Sequence, residues 1–260
     1  MVATFTLAFI GSTEYELMRL TIPHNLKVLT SNTEIDYDVI LVLDGNPLDE
    51  IASKFAREAF TWGIDEIRFR RRIKNVASGD PSNNSHLHLF SDKTPLLLTM
   101  ECDVAAFPTE NNEDVLKNIY DDFISCPQLA IGTRIDDYDC WVDRMIFYGR
   151  LNKDVRLVSR LSSHFIVYHT DRVREILPSR VGQHTFSDDG VNFYNYEDFI
   201  SERFRSQENG GIGYLENIGI SVHHCDKKLS PESSYYTGDL EVKRREFQRL
   251  QKLYQKRLEQ

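Results

Sequence analysis

Glu101 and Asp103 close the apolar run Pro95-Leu96-Leu97-Leu98-Thr99-Met100, and two carboxylates at the end of a buried strand are well placed to do chemistry. Side chains i and i+2 of a strand share a face, so both acids can enter one crevice while Cys102 points the other way. Hard oxygen ligands of this kind suit Mg2+ or Mn2+, above all where phosphate oxygens complete the octahedron. The plain alternative is a strand running into a polar turn. A second acidic pair, Glu197 and Asp198, stands in Phe193-Tyr194-Asn195-Tyr196-Glu197-Asp198-Phe199. There the plain alternative is helix capping, since acids in a first helical turn favour the helix dipole.

The elements that must position these acids read as alternating strands and helices. Thr4 to Ile10 is a strand closed by Gly11-Ser12-Thr13 and Glu14, the kind of turn at which an open α/β sheet binds its ligand, although no Gly-rich phosphate fingerprint is present. Asn25 to Thr30 reads as a short strand, and Tyr37 to Leu43 as a longer one ending in Asp44-Gly45. Asp44 can accept from a base N–H or a ribose hydroxyl, or simply start the turn. Leu48 to Trp62 has helical spacing, with Ile51, Phe55, Ala59 and Trp62 on one face and Gly63 as a stop. Ile64 to Phe69 is a further strand, and Arg70-Arg71-Arg72 with Lys74 is either solvated surface or a basic rim facing a diphosphate. Ser78 to Ser85 is a turn-rich loop. Strand alternating with helix up to residue 107 implies a largely parallel sheet with its crevice at the strand ends.

The 260 residues are 41% hydrophobic and 27% charged, an ordinary composition for a chain able to bury a sizeable core. A net charge of −9 and a pI of about 5.4 disfavour a general nucleic-acid surface; a nucleotide held through a metal suits the acidity better. No apolar run reaches the length of a membrane span, and Met1 to Ile10 lacks the basic region and cleavage signal of a secretory peptide, so a cytoplasmic location is expected. Cys102, Cys126, Cys140 and Cys225 show no paired spacing, which argues for reduced thiols, and His223-His224-Cys225 has no second ligand pair at zinc-finger spacing.

In the second half, Glu113 to Ser125 is an amphipathic helix with Val115, Leu116, Ile119 and Phe123 inward, and Leu129 to Arg134 a strand. Asp136-Asp137-Tyr138-Asp139 is an acidic loop whose acids could be ligands, though it reads better as a hydrated turn. Residues 141–160 mix aromatic and basic residues without a clear period. Ser163 to His169 is a strand, with His164 at its edge and His169 in a turn, and Arg172 to Leu177 a helix ended by Pro178. Gly210 to Gly213 is read as a flexible turn, and Tyr214 to Val222 as containing a strand with His223-His224 at its end. Lys227 to Gly238 suits either a mobile flap or a linker. Leu240 to Leu258 is a helix with Phe247, Leu250, Tyr254 and Leu258 on one stripe. Lys243, Arg244, Arg245, Arg249, Lys252, Lys256 and Arg257 surround it, as a solvated face or as a contact for an anionic membrane or partner.

The strand with its polar turn at residues 4–14, the strand ending in Asp44 and the strand ending in Glu101-Cys102-Asp103 resemble the nucleotide-sugar-binding half of a GT-A glycosyltransferase of the inverting, family-two-like group. The family's acidic signature is Asp-x-Asp, with Mn2+ or Mg2+ held against the donor diphosphate; here Glu101 replaces the first Asp. The resemblance implies one mostly parallel α/β domain over 1–260, with a donor half at 1–107, an acceptor half at 108–238 and a C-terminal helix at 239–260. It implies that Gly11, Ser12, Thr13, Glu14 and Asp44 hold the nucleoside, that Asp103 and Glu101 hold the cation, and that His223 or His224 completes its shell. Asp198 would be the general base, with Glu197 beside it, and Phe193, Tyr194 and Tyr196 would stack on a sugar face or pack the loop. The implied activity is transfer from a nucleoside-diphosphate sugar, UDP being the commonest nucleotide of the group, to a hydroxyl acceptor. A sugar-phosphate nucleotidyltransferase would want a basic triphosphate loop where Gly11-Ser12-Thr13-Glu14 stands; a non-catalytic nucleotide-sugar or partner-binding module would keep the fold alone. An Asp103 carboxylate tied to a Lys or Arg would take away the ground on which the transferase expectation stands.

Overall fold

The computed structural model describes residues 3–11, 13–44, 46–70, 94–111, 113–136, 145–162, 164–176, 196–205, 211–226, 232 and 237–260, with the backbone alone at 44, 70 and 196–200. Strands β1 (Phe5–Gly11), β2 (Tyr37–Asp44), β3 (Glu66–Arg70) and β4 (Leu96–Glu101) form the first half of the main sheet. Their residues are the continuous apolar runs of the sequence, which is what a strand covered on both faces requires. Helices α1 (Tyr15–Thr30) and α2 (Glu50–Ala59, continued by a 3-10 turn at Phe60–Trp62) connect them. β1 lies parallel to both β2 and β4, and β2 parallel to β3, so the carboxyl ends of all four strands reach one edge.

After β5 (Val104–Pro108) come α3 (Val115–Ser125), β6 (Leu129–Thr133), β7 (Phe147–Arg150), β8 (Val155–Val158), β9 (Phe165–His169), α4 (Thr170–Ile176), α5 (Tyr196–Arg205), β10 (Gly211–Leu215), β11 (Ile220–His224) and α6 (Glu241–Leu258). Nine strands make one mixed sheet in the order β3-β2-β1-β4-β9-β6-β10-β8-β7 among the described residues, and β11 pairs with β5 as a separate ribbon. The expected parallel half is β3 to β4; the reversed strands β9 and β8 bring in the antiparallel pairings. Val104 and Ala106 of β5 join the main core, whereas Ala105 and Phe107 form a second cluster with Cys225, Phe247, Leu250 and Tyr254, which docks α6 onto the ribbon.

Three local expectations are corrected. Asn25 to Thr30 is the last part of α1 rather than a strand: Leu17, Met18, Thr21, Ile22, Asn25, Leu26 and Leu29 are buried at helical spacing. The buried Asn25 amide donates to the Val104 carbonyl at 2.8 Å and accepts from the Ala106 N–H at 2.9 Å, so the helix fixes the edge of β5. Gly211 to Gly213 is strand, not turn. A Cβ on Gly213 would lie 2.5 Å from Val155 and 2.6 Å from Leu129, so glycine permits the close packing of β10. Ile51 is 66% exposed; Phe55 and Ala59 of the expected stripe are buried, but Ala52 and Ala56 complete the buried face of α2 in place of Ile51. The Arg71 to Lys74 part of the basic rim, the 78–85 loop and most of the 227–238 loop lie outside the described residues. Cys102, Cys126 and Cys225 are buried thiols outside any disulfide. Among the described residues no helix is long and apolar enough to cross a membrane.

Candidate active site

The parallel register sets the candidate site. Ile10 pairs with Val42 on one side and Glu101 on the other, and Gly11 pairs with Leu43, so Gly11, the Asp44 backbone and Glu101 lie along one strand-end edge. A Cβ at Gly11 would stand 3.2 Å from both the Cys102 sulfur and Leu43 and would overlap Met18; glycine is what lets this turn pass so close to β4. Ser12 lies outside the described residues, as does the Asp44 side chain. Thr13 and Glu14 follow, and Glu14 starts α1 without capping it: its backbone carbonyl accepts from the Leu17 and Met18 N–H groups, while its carboxylate reaches elsewhere.

That carboxylate meets Lys243. The Lys243 ammonium, carried by the first turn of α6, donates to Glu14 Oε1 at 2.9 Å and Oε2 at 3.0 Å and to Asp103 Oδ2 at 3.0 Å. Its side chain is only 7% exposed. Burial alone would lower its pKa, but the Asp103 and Glu14 carboxylates outweigh burial and hold it above the ordinary lysine value. Lys243 is thus not part of the solvated basic face: it continues the buried stripe of Glu246, Phe247, Leu250 and Tyr254 toward the start of the helix. That spacing was the one sign of it in the sequence.

Asp103 has a second partner. β11 runs antiparallel to β5 with His224 opposite Val104, and the Cys225 N–H donates to the Asp103 carbonyl at 2.7 Å. His224 Nε2 therefore sits 3.0 Å from Asp103 Oδ2. His224 Nδ1 lies 3.0 Å from the Asp226 backbone nitrogen and 3.4 Å from the Asp226 carbonyl oxygen, which holds the ring with its Nε2 edge toward Asp103. His223 points the other way, as strand alternation demands. Its Nε2 is 2.7 Å from the Tyr254 hydroxyl, its ring lies beside Phe107, and burial lowers its pKa. Of the two late histidines, His224 is the one beside the acid.

Glu101 and Asp103 do not share one crevice through an i and i+2 strand face, because β4 ends at Glu101 and residues 102–103 turn. Glu101 instead bonds His164 Nδ1 at 2.8 Å, and the His164 and His224 rings lie 4.9 Å apart. The strand-edge residue His164 thus joins the site, bonded to Glu101 and separated from Asp103 by the His224 ring. The contact that would undercut Asp103 as a metal acid is present in Lys243, so Asp103 alone no longer carries the functional reading.

Among the described residues no group of three His, Cys, Asp or Glu side chains stands at metal-ligand spacing. The donor chemistry nevertheless fits a hard divalent ion: the Glu14 and Asp103 carboxylates converge on a single positive atom, and His224 Nε2 adjoins one of them. The spacing is that of an ammonium, since oxygens at 2.9 to 3.0 Å surround Lys243, against about 2.0–2.1 Å around Mg2+. Glu197 and Asp198 fall in the first turn of α5, with side chains outside the described atoms.

Asp136, expected in a hydrated turn, is part of a clamp. Arg134 donates to both its oxygens at 2.8 Å and to the Leu215 carbonyl at 2.6 Å, and the Val222 N–H donates to Asp136 Oδ2 at 2.8 Å. This ties β6 and β10 to β11, which carries His224. The adjoining acids Asp137 and Asp139 lie outside the described residues.

By sequence the chain matches no family model and no curated protein. By structure it is similar to a mannosyltransferase from Pyrobaculum calidifontis solved with GDP-Man and Mn2+. The TM-score is 0.53 at 9% identity, over 85% of this chain and 57% of that one. It is similar also to GalNAc-T7 solved with UDP, GalNAc and Mn2+, with a TM-score of 0.51 at 10% identity over 86% of this chain and 44% of that one. The chain therefore spans about half the length of these two structures. Its fold is that of the GT-A type glycosyltransferases.

Proposed function

We propose that this chain is a glycosyltransferase that moves a sugar from a nucleoside-diphosphate sugar to a hydroxyl acceptor. The observation that supports it best is the convergence of Glu14 and Asp103 on one cationic point, with His224 beside Asp103, at the strand ends of a GT-A sheet. In open α/β sheets ligands bind outside the carboxyl ends of the strands. Proteins of this fold solved with GDP-Man or UDP and Mn2+ support the same donor class for this chain, with UDP our choice of nucleotide. Gly11 to Glu14 and Asp44 would hold the nucleoside, with the donor half at 1–107 and the acceptor half at 108–238.

Asp103, His224 and Glu14 would hold a Mn2+ or Mg2+ ion, with Glu101 orienting His164 behind them. When bound, such an ion supplies positive charge against the charge that builds on a departing nucleoside diphosphate. The chain's own part is to keep Asp103 oriented, through the Cys225 N–H and His224, and to take the acceptor proton. We assign that proton to Asp198, with Glu197 adjoining it, and a base on the far side of the anomeric carbon gives inversion. The basic outer face of α6, with Arg244 and Arg245 more than half exposed, remains our candidate contact for an anionic membrane or partner.

The pairing of Asp103 with Lys243 favours a second reading, a binding module that kept the fold without catalysis. Purified protein incubated with UDP- and GDP-sugars and Mn2+ separates the two. Nucleoside diphosphate release is expected from a transferase, and binding without release from a module. Replacing Asp198 by Asn should cut turnover by about 10²–10⁴-fold while leaving donor affinity in place. Unchanged turnover would remove Asp198 from the base role.

A further inference from the structure

The Lys243 side chain raises a question that the proposed activity does not answer. An ammonium has three N–H donors, and three carboxylate oxygens lie 2.9 to 3.0 Å from this one. None is left over for a phosphate. The cluster holds two carboxylates against one ammonium, an excess of negative charge that does not attract a diphosphate. Lys243 as seated is therefore a poor substitute for a divalent ion. It is well placed to keep one out, because its nitrogen lies where the two carboxylates meet. The seat is also held from behind, since Phe247 packs against Phe107 with ring centroids 6.1 Å apart and anchors the first turns of α6 to β5.

We propose that Lys243 and a divalent cation compete for one seat at Glu14 and Asp103, beside His224, so that cation entry expels the Lys243 ammonium from it. Two carboxylates and an imidazole then close on the metal, and the flexible lysine stem swings out, its ammonium released from both acids. This proposal rests on reading the strand-end cluster as a cation site, and its test requires neither donor nor turnover.

Amine acetylation of the wild-type protein, followed by mass spectrometry, reads Lys243 directly. Buried between two acids it is expected to resist modification, and with Mn2+ present its modification should rise about tenfold or more, a usual size of coupling between competing ligands. Mn2+ binding is measured in parallel by the electron paramagnetic resonance of the free ion. Lys243→Met should bind Mn2+ about tenfold or more tightly than wild type, and Mn2+ should raise its melting temperature more. Lys243→Met with Asp103→Asn, which also removes one of the facing acids, should fold and lose that response. Lys243 staying protected while the wild type binds Mn2+ would overturn the competition but leave a metal-assisted transferase standing. Failure of both wild type and Lys243→Met to bind Mn2+ would overturn the seat itself. Should Lys243→Met not fold, the acetylation result on wild type decides alone.

Discussion

Two charge clusters stand at strand ends in this chain, and they are built differently. Arg134 spends its guanidinium on Asp136 and on backbone carbonyls of Leu215 and Glu216, and Asp136 accepts in turn from a backbone N–H. Lys243 spends its ammonium wholly on two carboxylates from separate elements. A charge locked to backbone cannot leave without breaking the sheet, whereas a charge held only by side chains can be exchanged for another cation. The first cluster is a clamp and the second a seat.

The largest effect that separates them is expected at the clamp. Arg134→Met leaves Asp136 without its cation in a largely buried place, and should cost about 3–5 kcal/mol of stability in chemical denaturation. Added Mn2+ should recover none of it, in contrast to Lys243→Met. Recovery by Mn2+ at Arg134→Met would erase the distinction between clamp and seat.

A smaller effect tests what a buried acid costs with no cation in hydrogen-bond contact. Asp122 is buried on α3, and burial first, then the neighbouring Asp154 charge, pushes its carboxyl up from 3.8 to about 6. The folded state thus holds the proton more tightly than the unfolded chain. Ionised Asp122 costs stability above pH 6, and that cost is relieved as pH falls through about 6 toward 4. Asp122→Asn should accordingly raise the melting temperature at pH 8 and lose its advantage by about pH 4. A benefit independent of pH would assign the effect to packing.

The same contrast explains what the sequence disclosed. β1, β2, β4 and α3 announce themselves because their burial is written in consecutive or evenly spaced residues, and the strand-end turns at Gly11, Asp44 and Glu101 follow from them. α1 was legible only in part: Asn25 to Thr30 taken alone is a short polar-and-apolar stretch, and its helical phase shows only when Leu17, Met18 and Ile22 are counted with it. Ile51 misled because Ala52 and Ala56, rather than the larger Ile51, flank Phe55 on the buried face of α2. The partners of Asp103 were the least accessible, since Lys243 and His224 reach it from α6 and β11, across pairings that no local pattern encodes. His164 reads in the sequence as a strand edge for the same reason, as Glu101 meets it only once β4 and β9 are aligned.

A cation seated at Asp103 is expected to bind a nucleoside diphosphate at this sheet edge. Calorimetric titration of UDP and of GDP into the protein, with and without Mn2+, and into Asp103→Asn, tests it most directly. The expected result is binding of one nucleotide that requires Mn2+ and disappears in Asp103→Asn. Binding that is indifferent to both Mn2+ and Asp103, or no binding of either nucleotide under any of these conditions, would contradict it.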